Sequence, residues 1–296
     1  GGGLFIGGNL NGQTCYLLGS ILKNNSANKG GGFANESTAD GKLWVENCLI
    51  INNNSQSWGT AGFISSETTI SNCTIAANES NVGTLSFHNS NTNATLINSC
   101  VYSNSGTPLV LDLYEPVSNT INILYSNIDG GLDSVGTSST NAGTVTWGDG
   151  NVDIDPLFVD ANVGDYHLSD LSPVISAATA EVTIDGVSYT APTADIEGNP
   201  RPNPAGTVPD MGAYENENGA GPYYGPVWYV DASSELPYAN GGPGAPFSKI
   251  QYGINAAADG DTVSAAAGTY VENINFIGKN IVVMGAERET TIIDGN

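Results

Sequence analysis

One motif returns along the first half of this chain at nearly constant spacing, and such a repeat limits the possible folds more than any composition could. Val45-Glu46-Asn47-Cys48-Leu49-Ile50-Ile51-Asn52-Asn53 comes back as Ile70-Ser71-Asn72-Cys73-Thr74-Ile75 and as Ile97-Asn98-Ser99-Cys100-Val101-Tyr102. Looser copies are Ile123-Leu124-Tyr125-Ser126-Asn127-Ile128 and, upstream, Leu17-Leu18-Gly19-Ser20-Ile21-Leu22-Lys23-Asn24-Asn25. Aligned on Ser20, Cys48, Cys73, Cys100 and Ser126, the copies step by 28, 25, 27 and 26 residues. That period is short for a two-helix unit. The segments alternate Val, Ile, Thr, Phe and Tyr with polar residues and end in Gly/Asn/Ser turns, which is strand chemistry. One turn of a solenoid carrying two or three strands is the expected unit.

Two further columns keep the same register. Phe33, Phe63, Phe87 and Leu111 follow the Gly-rich corners, and Asn25, Asn53, Asn78 and Ser105 follow the cysteine strand. Stacked Asn side chains carry both donor and acceptor, so they can bond up and down a ladder at the inter-strand spacing of about 4.8 Å. The expected fold class is therefore all-β, a parallel β-solenoid of about 26 residues per turn with apolar, Cys/Ser and Asn stacks. Leucine-rich repeats share the period, but their Leu-x-x-Leu-x-Leu consensus is missing.

Composition bounds the partners. The chain has 30 Asp plus Glu against 7 Lys plus Arg, a formal charge of −23, which argues against nucleic acid and anionic membrane. It suits cations such as calcium. No apolar run approaches the length of a membrane span. The chain begins Gly1-Gly2-Gly3 and reads as a mature or excised piece. Cys48, Cys73 and Cys100 are expected as free, buried filler in one inward column, because parallel Cα–Cβ vectors suit a disulfide poorly. Without a Cys-x-x-Cys pair or a nearby His, a zinc site is not expected. Asn-x-Ser/Thr triplets at Asn24, Asn35, Asn53, Asn72, Asn78 and Asn93 are the number that an Asn-, Ser- and Thr-rich chain produces by chance.

Residues 1–130 are read as the coils and 131–150, rich in Gly, Ser and Thr, as a loop that loses the period. Then come Asp155-Pro156-Leu157-Phe158-Val159-Asp160, Gly164-Asp165-Tyr166-His167-Leu168, Ser172-Pro173, Asp195-Ile196-Glu197-Gly198-Asn199-Pro200-Arg201 and Asp210-Met211-Gly212-Ala213-Tyr214-Glu215. These motifs resemble the C-terminal cap of secreted right-handed parallel β-helix proteins, the pectate-lyase-like superfamily, so 131–215 is assigned as a cap region. Residues 216–226 form a linker by composition. In 227–296, Tyr229-Val230-Asp231, Phe247-Ser248-Lys249-Ile250-Gln251, Gly260-Asp261-Thr262-Val263 and Gly268-Thr269-Tyr270 resemble the N-terminal cap helix and first coils of the same superfamily. Phe247, Ile250, Ile254 and Ala257 share a helical face, and Ser248 with Gln251 has capping-box spacing.

A cap that ends one β-helix thus precedes a cap that begins another, and joining Asn296 to Gly1 gives an uninterrupted family-like run. The resemblance implies open solenoid rungs that seek a neighbour: Gly3, Leu4, Phe5 and Ile6 on one side, Ile281, Val283, Ile292 and Ile293 on the other. The expected partner is another copy, head to tail, in a tandem array or a filament. Circular permutation closing within one chain is the alternative.

Related enzymes use calcium-binding carboxylates with an Arg or Lys base, or paired Asp with Gly-His-Gly and Arg-Ile-Lys. Residues 1–130 contain no Arg, and Lys23, Lys29 and Lys42 read as solvated. Asp112 with Glu115 lacks a basic partner, and His88 is expected outward. No catalytic set assembles. Asp153, Asp155, Asp160 and Asp165 are the candidate calcium ligands, with structural turn use the competing reading. Trp44, expected outward, is the best sugar-stacking candidate. The sequence therefore favours a non-enzymatic extracellular structural unit, with a polysaccharide-binding or polysaccharide-cleaving β-helix, or an adhesin module, as alternatives.

Overall fold

The computed structural model describes residues 2–38, 41–80, 83–88, 93–106, 111–114, 120–137, 143–219, 223, 225–235 and 239–295, with the backbone alone for 38, 80, 105, 106, 111–114 and 137. Its first part is a parallel β-solenoid of four stacked sheets. Sheet A joins Leu4–Asn9, Phe33–Thr38, Gly62–Ile64, Leu85–His88, Leu111–Tyr114 and Val135–Thr137. Sheet B joins Thr14–Leu18, Lys42–Glu46, Thr68–Ser71, Asn93–Ile97, Thr120–Leu124 and Thr144–Trp147. Around the next corner, sheet C joins Ile21–Lys23, Leu49–Ile51, Thr74–Ala76, Cys100–Tyr102 and Asn127–Ile128, and sheet D begins at Ser26–Lys29. Successive partners in sheet B lie 28, 25, 26, 27 and 24 residues apart.

The stack continues past residue 130, where a loop was expected. Val135–Thr137 and Thr144–Trp147 take the next places in sheets A and B, and Val152 bridges Asn127 in parallel. Composition hid these strands because Gly, Ser and Thr carry little periodic signal while backbone pairing needs none.

Two corners flank sheet C. Gly19, Asn47, Asn72, Asn98 and Tyr125 turn the chain at φ between 46° and 58°, and Asn24, Asn52, Ala77 and Ser103 turn it again at φ between 51° and 60°. Asn tolerates this left-handed region better than most side chains. Just beyond, the Asn ladder forms: the backbone and side-chain N–H groups of Asn25 both donate to Asn53 Oδ1 at 3.0 Å, and those of Asn53 to Asn78 Oδ1 at 2.9 and 3.0 Å. The fourth member is Asn104, which receives Asn78 at 3.0 Å; Ser105 instead pairs in the backbone with Glu79.

The cysteine column also needs correction. Leu49 N–H donates to Ser20 O, Thr74 N–H to Cys48 O, Cys100 N–H to Cys73 O and Asn127 N–H to Ser99 O. The column is therefore Ser20, Cys48, Cys73, Ser99 and Ser126. Cys100 falls one place later, level with Thr74, Leu49 and Ile21, and one place is enough to reverse a side chain's face. All four cysteines are free thiols, and burial pushes the Cys73 thiol up and that of Cys100 to about 12. Phe33, Phe63 and Phe87 likewise belong to three neighbouring columns: Phe33 pairs with Gly62, Phe63 with Ser86, and Phe87 with Ile64. Gly62 is required there, because a Cβ would lie 2.4 Å from Phe33 Cζ. The side chains of Leu111 and Asp112, and Glu115 altogether, expected in a column and at an edge, lie outside the described residues.

Inside the stack Leu22, Ile50, Ile75, Val101 and Ile128 from sheet C meet Leu43, Val45, Ile70, Leu96, Ile121 and Ile123 from sheet B. Residues 155–218 then fold back along the outside. Tyr166, Ala213 and Tyr214 cover the outward Leu49, Ile51 and Ala76. This flank is pinned by Asn47 Nδ2 donating to Ala194 O at 2.8 Å, Ala213 N–H to Thr74 Oγ1 at 3.0 Å, and reciprocal bonds between Asn98 and Thr179.

A second, shorter stack follows. Val227–Val230, Thr262–Ala265 and Val282–Gly285 make one parallel sheet, and Gly268–Val271 pairs with Thr291–Asp294. The expected helix spans Ile250–Ala256 and buries Ile250 and Ile254. Its N-terminus is not held by Ser248: the Glu272 carboxylate accepts from Ile250 N–H at 2.7 Å and Gln251 N–H at 3.0 Å. No helix among the described residues is long and apolar enough to cross a membrane.

The ladder sets a stability test. Asn78→Ala removes the acceptor of two Asn53 N–H groups and is expected to cost about 3 kcal/mol in urea unfolding, the scale of buried groups left without partners. Asn52→Gly, at an exposed position with φ 54°, should stay within about 0.5 kcal/mol.

Candidate functional site

Residues with a free side to offer lie at the two ends of the stacks. Leu4–Asn9, Thr14–Leu18, Ile21–Lys23 and Ser26–Lys29 are each the last strand of a sheet, paired on one edge only, and the same holds for Val282–Gly285 and Thr291–Asp294. Leu4, Ile6, Cys15 and Leu17 pack half-buried on the first core, and Ile281 and Val283 on the second. Phe5 is 58% exposed, Tyr16 66% and Ile21 55%, against 52% for Met284, 49% for Ile292 and 46% for Ile293. Gly3 N–H bonds back to Gly32 O at 3.0 Å, so its backbone is already committed to the next turn. Among the described residues, the two groups of end strands stand in separate sheets and do not pair with each other. Gly1 and Asn296 lie outside the described residues.

The four candidate calcium ligands do not converge. Asp153 Oδ1 accepts from Gly130 N–H, Asp155 Oδ1 from Leu157 N–H, Asp160 Oδ1 from Asn162 N–H and Asp165 Oδ1 from His167 N–H. Asp155, Asp160 and Asp165 each close their own turn, whereas Asp153 reaches Gly130 on the preceding coil. Among the described residues, no three of His, Cys, Asp and Glu gather as a metal would need. His167 rests on Tyr214 at 4.1 Å, with Nδ1 2.6 Å from Asp165 and Nε2 3.2 Å from Glu197. Partial burial pulls its pKa down, but the two carboxylates outweigh this and raise it.

A groove runs between the outer face of sheet B and the hairpin of Glu181–Ile184 with Val187–Thr190, lined by Glu67, Thr69, Thr95, Asn122, Asp185 and Tyr189. Trp44 points outward as expected, yet its face is taken by Tyr189, stacked at 5.7 Å and 22°. Two of the lysines read as solvated have partners: Lys42 pairs with Glu67 at 2.7 Å, and Lys29 sits over the Phe63 ring at 4.7 Å. His88 lies outward against Phe63 and Trp58.

Sequence reading missed the polar knot in the flank. Arg201, Asp195, Asp210 and Glu215 are all at least 93% buried. Arg201 Nε stands 3.1 Å from Glu215 Oε2, and Nη1 donates to Gly212 O at 3.1 Å. Asp210 accepts from the backbone of Ser176 and Asn216 at 2.7 Å, while Asp195 receives Glu197, Asn199 and Glu215 N–H. One Arg among four acids in 195–215 was visible; its burial with Asp195, Asp210 and Glu215 was not.

Comparison with family models, with curated proteins and with solved structures returned no match for this chain. The stacked parallel strands define the class, a parallel β-solenoid.

Burial, and then the neighbouring Glu215, pushes Asp210 well above the carboxylate range, and burial pushes Glu215 up to about 6. Acids raised on folding hold protons more tightly in the folded state. The stabilisation from Glu215 is complete below the unfolded range near pH ~4 and is lost as pH rises through about 6, and that from Asp210 is likewise lost with rising pH. Urea midpoints should therefore fall between pH 5 and 7.5, with Glu215 contributing about 1 kcal/mol to the fall. Asp210→Asn, which cannot ionise, should flatten the fall; an unchanged slope would show that the knot does not titrate.

Proposed function

We propose that this chain is a non-enzymatic structural unit, working outside the cell, that joins copies of itself end to end into a fibre or surface array. What supports the reading is that both ends present single-edged strands with apolar side chains half exposed, whereas the outward apolar residues Leu49, Ile51 and Ala76 along the flank are covered. Edge strands of this kind template the addition of another strand. A contact between unlike ends does not close by symmetry and builds an open filament. The resemblance to secreted β-helix proteins supports an extracellular setting. Sedimentation of the purified chain over a concentration series, with negative-stain electron microscopy, tests it. Rods lengthening with concentration are expected; a monodisperse 30.4 kDa particle at all concentrations would refute it.

A second reading has its own observation, the groove beside Tyr189, whose hydroxyls, amides and carboxylates over a stacked aromatic pair suit a carbohydrate hydroxyl array. Oligosaccharide binding should then quench Trp44 emission, and Tyr189→Ala should change that response. Emission that stays constant across neutral and acidic glycans, with and without calcium, counts against it.

A further inference from the structure

Inside the first stack one rule governs the backbone between turns. Outward-facing residues direct N–H and C=O to the preceding turn, and inward-facing ones to the following turn. Lys42 N–H reaches back to Gln13 O and Leu49 N–H to Ser20 O, whereas Leu43 N–H reaches forward to Glu67 O and Phe33 N–H to Ala61 O. The second stack obeys the same rule: Val282 N–H reaches back to Asp261 O, and Gly268 and Glu272 N–H reach forward to Thr290 O and Asp294 O. Applied to the edge strands, the rule makes Val283, Gly285, Thr291 and Ile293 face forward and Thr14, Tyr16, Leu18, Ile21 and Lys23 face backward, and none of these has a strand partner on that side among the described residues. The two edges are complementary in phase.

Corner geometry selects which strands meet. In both stacks a strand is followed around one short corner by another, Thr14–Leu18 by Ile21–Lys23 and Thr262–Ala265 by Gly268–Val271. Val282–Gly285 continues the sheet of the former and Thr291–Asp294 that of the latter. Sheet C stacks one inward apolar residue per strand, Leu22 on Ile50 on Ile75 on Val101. Its counterpart in the second stack is Tyr270 on Ile293.

We infer that Val282–Gly285 of one copy pairs in parallel with Thr14–Leu18 of the next, and Thr291–Asp294 with Ile21–Lys23, so that Ile293 stacks on Leu22 and Asp294 stands beside Lys23. This rests on the end-to-end reading and adds its register. Charge selects a second copy as the occupant. In a chain of net charge −23, residues 1–35 hold Lys23 and Lys29 and no acid, while 281–296 hold Glu287, Glu289 and Asp294 against Arg288. The pairing also sets outward Ile292 beside Ile21, both about half exposed in the single chain.

The test mixes ¹⁴N- and ¹⁵N-labelled full chains, lets them assemble, and applies a zero-length carbodiimide cross-linker before peptide mass spectrometry. A mixed-isotope Lys23–Asp294 link is expected. In parallel, Lys23→Asp should raise the critical concentration for assembly about fivefold, the scale of an opposite-charge cross-strand pair turned into a like-charge pair. Adding Asp294→Lys to it should restore the original value. Circular dichroism and urea midpoints of the unassembled variants keep a folding defect apart from an assembly defect. Filaments that form with inter-copy links elsewhere and ignore the charge swap would overturn the register and leave the end-to-end reading standing. Failure of the unaltered chain to assemble at any concentration would overturn both.

Discussion

Everything in this molecule depends on backbone groups handed from one turn to the next in a fixed direction. A turn of about 27 residues cannot satisfy its own N–H and C=O groups; it borrows acceptors from one neighbour and lends them to the other. Each such bond contributes modestly, about 0.5–1.5 kcal/mol net, but a buried group left without one costs more. Order therefore propagates along the axis as a nearest-neighbour property. The Asn ladder reinforces it, because Asn53 and Asn78 each bond both the turn above and the turn below. The same dependence leaves the last strand of each sheet paired on one edge only.

Along the side, the problem is solved differently. Sheet C carries Leu49, Ile51 and Ala76 on its outer face, and the chain spends residues 155–218 covering them. That flank has few regular strands, so much of its order comes from side chains accepting backbone N–H groups: Asp195, Asp210 and Glu215 each do so more than once. Burying three carboxylates around one guanidinium is poor economy for stability alone, since desolvation opposes the attraction. It does fix one arrangement of a segment that lacks sheet ladders to fix it.

The period, the β class, the free thiols and the Asn25–Asn53–Asn78 ladder were legible because each is a local pattern repeated several times. Registers finer than one residue were not. Cys100 beside Ser99 offered two alignments, and the more conspicuous residue was the wrong one; the positive-φ residue preceding each true member, Asn47, Asn72 and Asn98, was the better marker. Aromatic columns failed for a packing reason, since Phe33 occupies the width of two turns and forces Gly62 above it. The phase of the edge strands was not legible, because it needs the direction of stacking as well as the side-chain facing, and the sequence records only the facing. The helix cap failed because its true acceptor, Glu272, is far along the chain from Ile250. Trp44 was read correctly as outward, whereas its cover by Tyr189 depends on a hairpin with no motif to announce it.

That helix has only seven residues, too few to persist alone in water. Both its ends are held by one loop: Glu272 accepts from the first amides, and Lys279 Nζ donates hydrogen bonds to Ile254 O and Asn255 O at 3.0 and 2.7 Å. Between them Gln251 and Asn275 exchange bonds in both directions. A negative charge at the start and a positive one at the finish match the helix's own polarity. Loop and helix are therefore expected to open as a single cooperative unit, and their amides should share one opening free energy in hydrogen exchange.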